Sequence, residues 1–280
     1  MSSTLSADLR RYYDVMHWWT RFNRGFRSFS GHETNSIHRW LIDADTGEFS
    51  PTTIHKIMLA MGIDGSEPVE ALDAGCGYGG TMFALHAGLG GRWHGVTIAR
   101  RQIAVGRRLA RDKNIGTAVT FALGSYDEPQ PRRYNLIYGI ESLIHSVDPA
   151  RTIGNLARAL RPGGMFVIVD DMPMENCPPQ QAGALRELKT LWRCPVMPSA
   201  QQWSTQLAAA GCDVVEVRDL SSLMRPRSEP ETTQAIQEVY GRRRWRDRLG
   251  LRRIGEAEIG GLILESLSRE RVVAYKLIRA

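Results

Sequence analysis

The sequence predicts an α/β fold in which a doubly wound, mainly parallel seven-stranded sheet carries a helical cap. Three observations predict it. Short apolar runs alternate with helical runs between residues 68 and 175, as in consecutive β-α-β units. Two further apolar runs follow near the C-terminus, and the first fifty residues form a separate aromatic zone. Crossovers between the parallel strands are expected to be right-handed.

The composition of the chain is that of an ordinary globular protein. Its 280 residues include 36 basic and 30 acidic residues, giving a net charge of +6, and 42% are hydrophobic. The chain has no run of about 18 apolar residues and no apolar signal core at its N-terminus, so neither membrane insertion nor secretion is expected. The four cysteines have neither metal-binding nor disulfide spacing, which favours a reduced, cytoplasmic setting.

The N-terminal zone, residues 1–50, is predicted to be an aromatic helical cap. Asp45-Thr46-Gly47 has the chemistry of a turn, and Ser50 and Pro51 fit the N-cap and first position of a following helix. Helical patterns cover residues 7–22, 34–41 and 53–61.

The remaining residues, 51–280, are predicted to form the sheet domain, with cap insertions at about 172–198 and 225–265. Ser199 and Gly211 fit the N-cap and the C-terminal glycine of one helix, and residues 229–268 look helical in pieces. Seven strands are predicted, over residues 69–75, 93–98, 118–124, 135–141, 165–171, 212–220 and 272–280. Helices are predicted after the first, second and fourth strands, over residues 81–89, 100–114 and 149–161.

A glycine-rich loop, Asp73-Ala74-Gly75-Cys76-Gly77-Tyr78-Gly79-Gly80, joins the first strand to a helix. Glycines let the backbone turn tightly and let a ligand approach closely. The spacing differs from the dinucleotide pattern G-x-G-x-x-G. An acid ahead of the glycines repels a pyrophosphate and attracts an ammonium or sulfonium, so the loop suits a positively charged nucleoside better than NAD.

On this loop, and on the turn Leu160-Arg161-Pro162-Gly163-Gly164, residues 68–222 resemble the class I S-adenosylmethionine-dependent methyltransferases. The resemblance implies a Rossmann-like fold and S-adenosyl-L-methionine as cofactor. The second strand, Gly95-Val96-Thr97-Ile98-Ala99-Arg100-Arg101-Gln102, is similar to the G-x-T-x-S-x-x-Q pattern of cyclopropane synthases and of sterol and prenyl diphosphate C-methyltransferases, with Ala99 replacing serine. The implied cofactor-binding residues are Asp73, Gly75, Cys76, Gly77, Thr97, Ile98, Gln102, Ser125, Tyr126 and Ile140.

The fourth strand ends in Glu141, followed by His145, and this E-x-x-x-H pattern resembles the sterol, tocopherol and prenyl C-methyltransferases. Ligands bind at the carboxyl ends of strands in such sheets, so both residues are candidate catalytic groups. A carboxylate there can stabilise a carbocation and remove a proton. The alternatives are a helix N-terminal acid for Glu141 and a structural histidine for His145.

Aromatic residues interleave with arginines in the N-terminal zone. They fit a lid over an apolar chain with an anionic end, although aromatic residues at helical spacing also pack on a core. The candidate substrate-binding residues are Tyr12, Trp18, Trp19, Phe22, Arg24, Arg27, His32 and His38.

The leading hypothesis is therefore a C-methyltransferase that acts on an alkene carbon of an isoprenoid, above all a prenyl diphosphate. The alternative is an O- or N-methyltransferase of a small natural product, with His145 as base and Glu141 orienting it. A third class, nucleic-acid binding through the basic stretch 242–248, is disfavoured because such stretches are commonly solvated helix faces.

No residue is assigned to a metal site, although the pair Asp170-Asp171 invites one and a diphosphate acceptor leaves Mg²⁺ open as its companion ion. The expected partner is the small isoprenoid substrate. The aromatic N-terminal zone also favours formation of a homo-oligomer.

Overall fold

The computed structural model describes residues 8–15, 17, 35–63, 67–131, 134–242 and 252–280, and residues 8–15 form an N-terminal helical segment. The strands are β1 (Leu41–Ile42), β2 (Phe49–Ser50), β3 (Glu70–Ala74), β4 (Arg92–Thr97), β5 (Val119–Leu123), β6 (Tyr134–Ile140), β7 (Leu160–Pro173), β8 (Glu216–Asp219) and β9 (Val273–Arg279). The α-helices are α1 (Thr53–Leu59), α2 (Gly80–Leu89), α3 (Arg100–Asp112), α4 (Pro149–Ala159), α5 (Ala182–Leu191), α6 (Ala200–Ala209), α7 (Glu229–Gly241) and α8 (Arg252–Arg269). Short 3-10 helices cover Leu143–His145, Pro179–Gln181 and Ser221–Leu223.

Seven strands form one sheet in the order β5-β4-β3-β6-β7-β9-β8. Strands β3 to β7 pair in parallel, whereas β9 lies antiparallel between β7 and β8. The prediction of a doubly wound, mainly parallel seven-stranded sheet is confirmed. Because β9 runs in the opposite direction, its first residues lie at the edge where the parallel strands end. Tyr275 of β9 is thereby paired with Asp171 of β7.

The central strands of the sheet are buried on both faces, with successive side chains of a strand pointing to opposite sides. On one face Val167 and Val169 pack in a cluster with α1, α2 and α3. On the other face Phe166 and Ile168 pack in a cluster with α4 and α6. This two-sided burial explains why the central strands read as continuous apolar runs.

The predicted helix over residues 34–41 is wrong. Asn35 has φ of +56° in a turn, residues 36–40 are not helical, and Leu41 begins β1. The polar groups of this segment are used in long-range contacts, since the backbone N–H of Arg39 donates to Glu141 Oε1 (2.8 Å). Tertiary contacts therefore override the local helical pattern.

The predicted cap of α1 is also shifted. Ser50 ends β2, and its Oγ accepts from the backbone N–H of Thr52 (3.1 Å). Thr52 is the residue at the N-cap position, so Pro51 lies before the helix and not in its first turn.

The signals at the ends of α6 are confirmed. Ser199 and Gln202 form a reciprocal capping box, and Gly211 follows the helix with φ of +83°. The strand predicted over residues 212–220 is shorter, because regular pairing in β8 covers only Glu216–Asp219.

Helices α5 and α7 lie in the two segments predicted as cap insertions, and α8 begins in the second of them and continues past it to Arg269. Helix α8 packs against both of the others. Trp192 Nε1, just after α5, donates to the carbonyl oxygen of Ala257 (3.1 Å). The guanidinium of Arg193 binds Asp8 (3.0 Å) and Glu256 (2.6 Å), which ties the N-terminal helical segment to α8.

Two further predictions concern membrane insertion and the basic stretch 242–248. In the part of the chain that the structure describes, no helix has both the length and the apolar character needed to cross a bilayer. Of the basic stretch 242–248, only Arg242 lies within the described residues, and its guanidinium lies 3.5 Å from a carboxylate oxygen of Glu238.

Candidate functional site

A cavity of about 690 Å³ lies over the carboxyl ends of β3, β4, β6 and β7. The N-terminal helical segment, residues 35–40, the glycine-rich loop and helices α7 and α8 enclose it. Every predicted site residue that the structure describes lines this cavity: Tyr12, His38, Asp73, Gly75, Cys76, Gly77, Thr97, Ile98, Gln102, Ser125, Tyr126, Ile140, Glu141 and His145. Trp18, Trp19, Phe22, Arg24, Arg27 and His32 lie outside the described residues.

The glycine-rich loop is shaped so that only glycine fits at its tightest point. Gly75 has φ of +105°, and a Cβ built on it would collide with the side chain of Ser142. Gly77 has φ of +54°, and its Cβ would lie 3.2 Å from Ile37 Cδ1. The two glycines therefore let the loop pack closely against Ser142 and against Ile37.

Asp73 ends β3 beneath this loop and is 5% exposed. Its Oδ2 accepts a hydrogen bond from the hydroxyl of Tyr138 (2.9 Å). Burial raises the pKa of Asp73 to about 7, against the lowering effect of this hydrogen bond. A cationic group placed beside Asp73 would favour its ionised form, so the carboxylate fits a ligand that carries an ammonium or sulfonium.

Thr97 and Gln102 lie together at the end of β4. Thr97 Oγ1 donates to Gln102 Oε1 (3.5 Å) and accepts from the backbone N–H of Ala99 (3.2 Å). Both side chains are more than nine-tenths buried, and both line the cavity. The amide of Gln102 thus offers N–H donors to the hydroxyls of a nucleoside ribose. With the glycine-rich loop, these residues fit the predicted cofactor.

The two residues predicted to contact the adenine have their hydroxyls engaged within the protein. Ser125 Oγ donates to Asp127 Oδ2 (3.2 Å), and the Tyr126 hydroxyl donates to the carbonyl oxygen of Ser142 (2.6 Å). Tyr126 can therefore offer a ligand its ring more readily than its hydroxyl. Their role in adenine binding stays a prediction.

Glu141 follows β6 in the left-handed conformation, with φ of +50°. This turns the chain into the 3-10 helix Leu143–His145, where the backbone N–H of Ile144 donates to Asp170 Oδ2 (3.0 Å). Glu141 Oε1 accepts two hydrogen bonds, from the backbone N–H of Arg39 (2.8 Å) and from the hydroxyl of Tyr275 (2.9 Å). The carboxylate is thus held at the cavity wall by two distant parts of the chain.

His145 lies at the other end of the same turn and is oriented separately. Its Nδ1 lies 3.4 Å from the carbonyl oxygen of Arg193 and 3.5 Å from Cys194 Sγ. Burial lowers the pKa of His145 to about 4, so its ring is neutral near pH 7. If Nδ1–H donates to the carbonyl, Nε2 is left as the proton acceptor.

His38, a predicted substrate residue, has partners on both ring nitrogens. Nδ1 lies 3.0 Å from the carbonyl oxygen of Arg39, and Nε2 lies 3.0 Å from Nε2 of His55. Burial lowers the pKa of His38 to about 4 and that of His55 to about 3, so both rings are neutral near pH 7. A substrate would meet the ring face of His38 and not a free nitrogen.

The sequence reasoning did not find Arg39 or Tyr275. The guanidinium of Arg39 binds Asp171 Oδ2 (2.8 Å) and its Cζ lies 4.8 Å from the centre of the Tyr275 ring. Asp171 itself was singled out only as half of an acidic pair. Tyr275 reaches the ligand-binding edge because the last strand runs antiparallel to β7, and no local pattern in the sequence reveals that direction.

The acidic pair has structural partners. Asp170 accepts from two backbone N–H groups, those of Ile144 and Asp171, and burial holds its pKa well above the usual value. Asp171 instead pairs with Arg39. Across the described ranges, no group of three or more histidine, cysteine, aspartate or glutamate side chains could hold a metal ion.

Comparison with known proteins identifies the family. A family model described as a methyltransferase domain matches residues 66–225, which is more than half of the chain. The O-methyltransferase resE of Aspergillus sclerotiorum is 31% identical over 162 residues, a match that covers 55% of this chain and 59% of that protein. The chain thus spans about 60% of the length of the curated relatives it matches.

Two solved structures share the fold at 17% identity. The cyclopropane synthase MmaA2 of Mycobacterium tuberculosis gives a TM-score of 0.68, and the match covers 88% of this chain and 90% of that chain. The geranyl diphosphate C-methyltransferase of Streptomyces coelicolor A3(2) gives a TM-score of 0.64 and 96% coverage of both chains. With its matching domain and sheet, the chain belongs to the class I S-adenosylmethionine-dependent methyltransferases.

Proposed function

We propose that this chain is a C-methyltransferase that adds a methyl group to an alkene carbon of an isoprenoid, above all a prenyl diphosphate. One observation carries the proposal. Glu141 is held by Arg39 and Tyr275, whereas His145 is held by the carbonyl of Arg193, and the two side chains make no hydrogen bond with each other. A base–orienter pair, which methylation of a hydroxyl would use, is therefore not assembled. A carboxylate at the cavity wall that does not pair with His145 suits a reaction that passes through a carbocation.

S-adenosylmethionine, when bound, supplies an electrophilic methyl group. The cavity walls exclude water and hold an alkene carbon in line with that methyl. As the alkene π electrons form the new carbon–carbon bond, the methyl–sulfur bond would break and its electron pair would stay on sulfur, which leaves as a neutral thioether. The neighbouring substrate carbon then becomes positive. The Glu141 carboxylate stabilises that charge and then accepts a proton from an adjacent carbon, whose C–H electrons restore the alkene.

The walls of the cavity support an isoprenoid acceptor. Leu9, Tyr13, Trp40 and Ile144 line its interior and offer aliphatic and aromatic surface to an apolar chain. Tyr and Trp faces add cation–π stabilisation of about 0.5–2 kcal/mol for a transient cation. Arg225, Arg227 and Arg242 also line the cavity, where an anionic head group would meet them. Arg227 pairs with Glu265 (2.7 Å) and Arg242 with Glu238 (3.5 Å), so the head group would compete with these carboxylates. The geranyl diphosphate C-methyltransferase that shares the fold is named for such a substrate.

Methylation of a hydroxyl or amine is the second candidate, and one observation favours it. The neutral ring of His145 lines the cavity, and its Nε2 can accept a proton from an acceptor hydroxyl. The relative resE is also named as an O-methyltransferase. In this reaction Arg193 would orient the histidine, and Glu141 would be dispensable for proton removal.

An acceptor panel tests the proposal. The protein is incubated with S-adenosylmethionine and isopentenyl, dimethylallyl, geranyl or farnesyl diphosphate, with and without Mg²⁺. Mass spectrometry and NMR of the products should show one added methyl joined by a carbon–carbon bond. Methylation restricted to phenols, alcohols or amines would replace this proposal with the second candidate.

Cofactor affinity should rise with pH through about 7. The pKa of Asp73, raised to about 7 by burial, means that this carboxyl is neutral at lower pH and ionised at higher pH. A cationic cofactor binds the ionised form better, so binding below this pKa should release a proton. Calorimetry from about pH 6 to pH 8, in buffers of different ionisation enthalpy, measures both effects.

The control for this prediction is Asp73→Asn, which keeps the shape of the side chain but cannot ionise. Any pH dependence that remains in this variant belongs to the ligand itself. Equal pH dependence in the two proteins would contradict the assignment of Asp73 to the cofactor.

A further inference from the structure

Glu141 lies beside an arrangement of three residues that no local sequence pattern connects. They are Arg39 before β1, Asp171 on β7 and Tyr275 on β9. Asp171 and Tyr275 are directly paired across the antiparallel β7–β9 ladder. Arg39 lies over the Tyr275 ring (4.8 Å) and binds Asp171 Oδ2 (2.8 Å).

The contacts to Glu141 itself are two hydrogen bonds to one oxygen. The Tyr275 hydroxyl and the backbone N–H of Arg39 both donate to Oε1, at 2.9 and 2.8 Å. Burial keeps the pKa of Tyr275 well above its usual value, so its hydroxyl stays a donor. With Oε1 engaged in this way, the other oxygen is the one left for chemistry in the cavity.

Tyr275 is fully buried and does not line the cavity, unlike Arg39, Asp171 and Glu141. It can therefore act on a bound molecule only through neighbours that line the cavity, and Glu141 and Arg39 are two of these. The backbone of Glu141 is in the left-handed region, a strained state for this residue that persists only when its surroundings fix it. The backbone N–H of Glu141 donates to the carbonyl oxygen of Val169 (2.8 Å), and the Tyr275 and Arg39 contacts fix its side chain.

We propose that Tyr275 and Arg39 are positioning residues, which fix the orientation of the Glu141 carboxylate at the cavity wall and so set the rate of the chemical step. The inference rests on the proposed role of Glu141. Arg39 also supplies a positive charge between Glu141 and Asp171, which lets two carboxylates lie at one end of the cavity.

Tyr275→Phe tests this proposal because it removes the hydroxyl and keeps the ring beneath Arg39. Loss of a hydrogen bond to a charged group should lower kcat by about 10- to 100-fold. KM and the calorimetric Kd for S-adenosylmethionine should stay unchanged, because the cofactor residues are untouched. The matched control is Tyr134→Phe, which makes the same change at a buried tyrosine. Tyr134 begins β6, whereas Glu141 directly follows the other end of that strand.

A double-mutant cycle separates positioning from a general structural effect. If Tyr275 acts through Glu141, adding Tyr275→Phe to Glu141→Gln should cause little further loss of the residual turnover. Independent, multiplying losses would overturn the proposal. A full kcat in the single variant Tyr275→Phe would overturn it as well.

An NMR measurement tests the contact between Tyr275 and Glu141 without any acceptor substrate. In protein labelled with [δ-13C]glutamate, the Glu141 resonance is the one that disappears in Glu141→Gln. This resonance should move in Tyr275→Phe and stay in place in Tyr134→Phe. An unmoved resonance in Tyr275→Phe would overturn the inference, even where the acceptor panel has already rejected the proposed isoprenoid substrate.

Discussion

Glu141→Gln should lower turnover by about 10²–10⁴-fold, which is the range expected when a positioned acid–base group is removed. The amide keeps the size of the side chain and can still accept from Arg39 and Tyr275 through its oxygen. It cannot stabilise a cation as a carboxylate does, and it cannot take up the proton. The measurement is single-turnover product formation with the acceptor that the panel identifies.

Calorimetry supplies the companion measurement for this variant. Affinity for S-adenosylmethionine should be unchanged, because the substitution leaves the glycine-rich loop, Thr97 and Gln102 untouched. The matched control is Glu175→Gln, which changes an exposed acid just beyond the end of β7 that does not line the cavity. Near-normal turnover in Glu141→Gln would show that the carboxylate is not the base, and His145 would take its place.

Gly80→Ala should damage both stability and turnover. A Cβ at Gly80, the first residue of α2, would collide with the backbone of Asn35 and Ser36. Backbone atoms cannot move aside as a flexible side chain can, so residues 35–40 must shift. The overpacking should lower the free energy of unfolding by about 1–3 kcal/mol. Because this segment carries Arg39, turnover should also fall by about 100-fold through misplacement of Glu141.

The control for this glycine is Gly88→Ala, in the same helix. Its Cβ would meet only Leu59 Cδ2 (2.8 Å), the end of a flexible side chain. Denaturant unfolding and turnover of the two variants should therefore differ clearly. Equal behaviour would mean that residues 35–40 do not depend on close contact with Gly80.

The sequence predicts the parallel part of the fold well, because its strands are apolar runs and three of them are followed by a helical pattern. Residues at the ends of those strands or directly after them, such as Asp73, Thr97 and Glu141, could be assigned to the site since parallel strands end at one edge. The cavity-lining positions of all described candidates agree with this reasoning, although their individual roles stay predictions.

The sequence does not reveal the parts of the site that depend on long-range pairing. Tyr275 reaches Glu141 because β9 is antiparallel, and strand direction has no local signature in this chain. Arg39 lies in a segment whose sequence has a helical pattern. The contacts of Arg39 with Glu141 and Asp171 hold this segment in an irregular conformation. Local propensity is a weak guide wherever such contacts decide the backbone.

The left-handed backbone at position 141 places the stability of the fold in conflict with catalytic activity. Glycine adopts this conformation without the steric cost that a glutamate side chain imposes. Laboratory evolution that selects for thermal stability alone should therefore favour glycine at position 141 and abolish activity. Selection for product formation should retain the glutamate. Engineers who seek a hardier biocatalyst from this scaffold should keep that position fixed and look for gains elsewhere.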